Sequence, residues 1–137
     1  MNIGLTMGDV VKGVGAKLTK AFAKADKSLP MDSYIILNAL YEKEDLIQND
    51  LADILHQDKS GVLRKIDYLQ GKRLIARIPS TEDRRRNLIV LTQKGVQTVE
   101  TMRAIEAQVF NDLLHDISKE DLQTFHKVLI NMKSNLN

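Results

Sequence analysis

The sequence has 137 residues, 43% hydrophobic and 28% charged, a balance that suits one compact domain and speaks against disorder. With no cysteine, a disulfide framework, a thiolate metal site and a thiol redox switch are all excluded. The net charge of +2 is unevenly spread: Asp58 to Arg86 holds nine basic residues against four acidic ones, a local +5 that leaves −3 for the remainder. A basic patch on an otherwise acidic chain points to a polyanionic partner held by one region. No apolar run approaches the roughly 20 residues of a membrane helix. The stretch MNIGLTMGDVVKG lacks the basic and apolar regions of a signal peptide, so a cytoplasmic protein with no membrane partner is expected.

From about Asp9 to Lys27 the residues Val11, Val14, Leu18, Ala21, Phe22 and Ala25 form one helical stripe. Gly13 and Gly15 weaken that helix, so it depends on packing, and Ser28-Leu29-Pro30 ends it. A second helix starts near Asp32 or Ser33 and carries Ile36, Leu37, Leu40 and Tyr41. A third runs from about Gln48 to His56, burying Leu51, Ile54 and Leu55. Asp58 caps the fourth, where Val62, Ile66 and Leu69 share one face and Ser60, Arg64 and Asp67 point the other way. Lys72-Arg73 closes it.

The period then changes. Leu74 to Ile78 and Asn87 to Leu91 are short β-rich runs, and the polar segment between them ends in Arg84, Arg85 and Arg86. This predicts a two-stranded hairpin with a basic tip. Thr92 caps a long helix reaching about Asp116, with Val99, Met102, Ile105, Val109, Phe110 and Leu113 on its apolar side. Ser118 and Asp121 open the last helix, striped by Leu122, Phe125, Leu129, Met132 and Leu136.

Two short helices joined by a tight turn at His56-Gln57-Asp58 suit a helix-turn-helix, whose second helix enters the major groove of DNA. A hairpin directly after it is a wing, and an arginine tip suits a narrow minor groove. No Ser-His-Asp spacing, P-loop or dinucleotide fingerprint appears. His56, His115 and His126 lack i, i+4 pairing. Neither an enzyme, a cofactor nor a metal site is expected.

Two stretches resemble the MarR family of winged-helix transcriptional regulators. One is DLADILHQDKSGVLRKIDYLQGKRLIAR. The other runs from Glu82 to Gly95 and follows the pattern D-x-R, second wing strand, then L-T-x-x-G opening a dimerisation helix. The resemblance implies a mainly α fold with a small β wing. The winged helix-turn-helix would span 32–92, flanked by dimerisation helices at 1–31 and 93–137. It also implies a homodimer on a palindromic operator of double-stranded DNA, a repressor relieved by a small-molecule effector. Carried onto this sequence, Asp83 orients a wing arginine and Arg85 enters the minor groove with Arg84 and Arg86 beside it. Ser60, Gly61 and Arg64 front the recognition helix, Lys59 suits the DNA backbone, and Lys65 joins the DNA-binding residues.

Three positions depart from the family pattern. Ile47 stands where a Thr or Ser cap is common, and His56 stands at a turn glycine. Arg73 stands where glycine commonly ends the recognition helix, which predicts a shifted helix end. The alternative function is a winged helix used only for protein–protein interaction, with its basic wing incidental.

Overall fold

The computed structural model describes residues 1–83 and 85–137; Arg84, named above as a wing-tip residue, lies outside the described residues. The chain forms α1 (Ile3–Ala25), α2 (Met31–Glu42), α3 (Gln48–Leu55), α4 (Lys59–Gly71), β1 (Ile75–Pro79), β2 (Asn87–Leu91), α5 (Gln93–Leu113) and α6 (Lys119–Asn135). The strands pair antiparallel, from Ile75 opposite Leu91 to Pro79 opposite Asn87. The predicted mainly α architecture with a two-stranded wing is the one observed.

A single core joins these elements. Phe22, Ile36, Leu37, Leu51, Val62, Ile66, Leu69, Leu74, Ile75 and Val99 are its largest fully buried side chains. They come from α1 to α5 and the wing base, so the stripes read from the sequence converge on one cluster. The Phe22 and Tyr34 rings meet at 4.9 Å, tilted, and tie the end of α1 to α2.

Four boundaries depart from the sequence expectations, each for a local reason. First, α1 begins at Ile3 rather than near Asp9, because the Asn2 side chain accepts from Leu5 N at 3.1 Å. The early glycines lower the intrinsic helix signal without breaking the helix. Second, α2 is entered through Pro30, and neither Asp32 nor Ser33 caps it. Third, Ile47 offers no side-chain acceptor, and the reciprocal half of a capping box remains: Asp50 Oδ2 accepts from Ile47 N at 2.8 Å. Ile47 also bridges to Leu88, and Ile89 N donates to Leu46 O at 2.8 Å, so the α3 entry rides on the wing. Fourth, Arg73 does not displace the helix end by a turn. It takes the left-handed conformation itself, with φ 62°, while Leu74 N donates to Leu69 O and Arg73 N to Gln70 O. That is a Schellman closure with arginine in the glycine place. His56 closes α3 in the same way, with φ 53°.

Glycine is required where α5 meets the wing. A Cβ on Gly95 would lie 2.0 Å from Leu74 O and 3.0 Å from Leu74 C, both backbone atoms. Thr92 completes the joint: its Oγ1 donates to Arg73 O at 2.6 Å and accepts from Gly95 N at 3.0 Å. Gly95→Ala is therefore expected to destabilise the fold by about 1–3 kcal/mol through overpacking. Gly71→Ala, where an added Cβ meets nothing within 4 Å, should raise stability by about 0.5–1 kcal/mol through helix propensity. Paired urea titrations at constant m-value check both signs.

Candidate nucleic-acid interface

The front of α4 is open. Lys59, Ser60 and Arg64 are exposed, while Val62, Ile66 and Leu69 on the opposite face are buried. Asp58 Oδ1 accepts from Gly61 N at 3.0 Å and caps the helix. A Cβ on Gly61 would press on that same carboxylate oxygen at 3.0 Å. Glycine here gives the cap room as well as keeping the helix surface low.

Two clamps fix how α4 is presented. On one flank Lys65 Nζ donates to Asp32 on α2 and, at 2.5 Å, to Gln57 in the turn. On the other flank Arg77 of β1 donates to Asp67 at 2.7 Å and to Gln70. Sequence alone grouped Lys65 with the DNA-facing cations; in this structure its ammonium pairs with Asp32 and ties α4 to α2. The signal that separates it from Arg64 is helical phase: one step of 100° carries residue 65 toward α2. Leu63 also faces outward, 41% exposed, and the same phase sets it apart from the buried stripe.

The wing tip is organised by Asp83. Its Oδ1 accepts from Arg85 N at 3.0 Å and from Arg85 Nε at 3.4 Å, and its Oδ2 lies 3.7 Å from Arg86 Nε. Ser80 Oγ accepts from Asp83 N at 3.4 Å, and Ser80 N donates to Arg86 O at 3.0 Å, closing the loop. The Arg85 side chain remains 92% exposed. A carboxylate thus aims a guanidinium without burying it, which suits a charge offered to a partner.

A second region lies away from the basic surface. A cleft of about 670 Å³ is lined by Tyr34, Asn38 and Glu42 of α2, Asp53 and His56 at the helix-turn-helix, Glu106 of α5 and Lys133 of α6. Burial, with Glu106 close by, pushes the Tyr34 phenol up to about 12, so it stays neutral across the physiological range. Beside it Arg103 of α5 donates to Asn38 Oδ1 at 2.5 Å and Glu42 Oε1 at 2.7 Å and lies 4.9 Å over the Tyr41 ring. The Glu42 bond raises the Arg103 guanidinium further above its ordinary value.

An exposed helix clamped beside an arginine-tipped two-stranded wing defines a winged-helix fold. Residues 28–86 match the sequence profile of the MarR family. The uncharacterized HTH-type transcriptional regulator YdgJ of Bacillus subtilis is 28% identical over 102 residues, 74% of this chain. The chain spans 62% of that relative's length. The solved transcriptional regulator PA3341 has the same fold at TM-score 0.84 and 25% identity, over 97% of this chain and 96% of its own. A MarR-family regulator from Rhodococcus sp. RHA1 gives 0.82 at 22% identity, over 96% and 91%. Staphylococcus aureus MepR in a complex with DNA gives 0.83 at 24%, over 98% of each chain. Over residues 28–86, less than half of its length, the chain thus resembles the MarR family, and it shares the fold of these solved regulators.

The two lysines of α4 are expected to behave differently. Lys59→Ala should reduce the slope of log K against log salt by about 0.9, the loss of one neutralised phosphate. Lys65→Met should leave that slope unchanged and lower the urea midpoint, because it strips Asp32 of its partner. Equal slope changes in the two variants would place Lys65 on the DNA.

Proposed function

We propose that this chain is a sequence-specific regulator of transcription that binds double-stranded DNA, a homodimeric repressor acting on a palindromic operator and released by a small effector. The observation that carries this reading is the exposed front of α4 set beside a wing whose Asp83 holds Arg85 outward. Ser60 and Arg64 contact base edges, Gly61 permits close approach and Lys59 meets the phosphate backbone. Arg85 and Arg86, with Arg84 beside them in sequence, serve the minor groove. The reading unit is 32–92. MepR, which has the same fold, is solved with DNA.

The homodimer is supported by apolar surface that the chain does not cover. No residue of α6 is buried, and Phe125, Val128 and Ile130 are 55%, 48% and 52% exposed. The first turns of α1 add Ile3, Leu5, Val10 and Val11, all exposed. Two such stripes, in 1–31 and 93–137, suit a mutual seam with a second copy. The effector is supported by the cleft that His56 and Asp53 wall on one side and Glu106 and Lys133 on the other. A ligand there touches the helix-turn-helix and the terminal helices at once.

Selection from random duplexes should return a palindrome with half-sites about one helical turn apart. On that duplex Arg64→Ala is expected to cost about 1–3 kcal/mol and to relax one position per half-site. Failure to enrich any duplex, with a salt-independent protein partner instead, would favour an interaction module.

Leu129→Asp places a charge in the middle of the α6 stripe. Since α6 buries nothing within its own chain, this variant should keep its circular dichroism while sedimenting as a monomer and losing the operator. A dimer that still holds the palindrome would put the seam elsewhere.

A further inference from the structure

Leu63 is the one large aliphatic side chain on the open front of α4. Viewed down the helix, with Ser60 at the reference angle, Leu63 lies about 60° to one side and Arg64 about 40° to the other. Ser60 therefore sits between them, and the three share the amino-terminal half of the helix, the part that approaches bases in a helix-turn-helix. Leu63 is 41% exposed and stands outside the core cluster. A single exposed leucine is ordinary on a protein surface. Here, however, the surrounding outward positions Lys59, Ser60, Arg64 and Asp67 are all polar or charged.

The protein does not fold over this side chain. Further along the same flank, Asp67 and Gln70 are taken by Arg77, and on the opposite flank Lys65 is taken by Asp32 and Gln57. The helix is held between those clamps with Leu63 still open to solvent. Against DNA it would be pressed into the major groove and dried. Donors and acceptors in that groove would lose water against a butyl group with nothing in return. The groove offers one apolar feature, the C5-methyl group of thymine.

Resting on the DNA-binding reading, we infer that Leu63 is a specificity-determining residue that selects thymine at one position of each half-site by packing on its C5-methyl group. Ser60 and Arg64 flank it as the polar readers of the neighbouring base pairs. The recognition is apolar and adds no phosphate contact, so it is independent of salt.

The test uses the full-length protein and the duplex it selects. Each thymine of a half-site is replaced in turn by deoxyuridine, which deletes the methyl group and keeps the pairing. At one thymine per half-site the affinity should fall about threefold to tenfold, the range of one buried methyl group. Leu63→Ala should bind the intact duplex that much more weakly and show no further fall with deoxyuridine at that thymine. Leu63→Met should keep the discrimination. Alanine is the stronger helix former, so circular dichroism and the salt slope should match those of the parent. Indifference to deoxyuridine at every thymine, or a Leu63→Ala variant that still discriminates, overturns the inference while leaving DNA binding in place. Binding to no duplex at all overturns both.

Discussion

The carbonyl of Leu74 is where three parts of this protein are forced together. It accepts from Thr92 N at 3.1 Å, and the backbone of Gly95 passes so close that no β-carbon fits between them. Leu74 follows the end of α4 and precedes β1; Thr92 follows β2 and opens α5. One backbone contact thus fixes the reading helix, both wing strands and the long helix in a common frame. Lys94 Nζ reaches Lys72 O at 3.1 Å and adds a further tie at the same place. The rest of the interface inherits its geometry from this joint, since neither the wing nor α4 could shift relative to α5 without prising the contact apart.

Charge on the basic surface is divided between holding and offering. Lys65 and Arg77 are spent on Asp32 and on Asp67 with Gln70, which fixes the pitch of α4 against α2 and β1. Arg64 and Lys59 stay exposed. Asp83 performs an intermediate task, ordering Arg85 through its backbone and side chain while leaving it in solvent. Exposed ion pairs of this kind contribute little stability. Their effect here is orientation: each removes conformations that a flexible cation would otherwise have to give up on meeting a ligand.

Much of this was legible in the sequence because it is periodic or punctuated. Val62, Ile66 and Leu69 announce the buried face of α4, Asp58 and Thr92 announce helix starts, and the change from a 3.6 to a 2 period announces the wing. Legibility failed where a residue's role depends on a distant neighbour. Nothing local in Lys65 reveals Asp32, 33 positions away. Ile47 is a poor cap by composition, and its bridge to Leu88 is a tertiary fact. The left-handed Arg73 defeats the expectation of a shifted helix end because the closure at Leu69 and Gln70 and the bond from Thr92 outweigh a strain of about 1–2 kcal/mol. The exposure of Leu63 follows from helical phase, but its freedom from any covering segment is visible only in three dimensions.

The rigid seat of α5 also makes that helix a lever arm. Its 21 residues extend about 31 Å, with the wing and reading helix fastened at the Gly95 end. Arg103 sits near mid-length, hooked to Asn38 and Glu42, the tie about which a tilt would turn. A tilt of about 5° about that mid-point would move either end of the helix by about 1 Å, well short of the length of one hydrogen bond. Because α4 and the wing are seated on α5 at Gly95, any such tilt would carry them together as one piece.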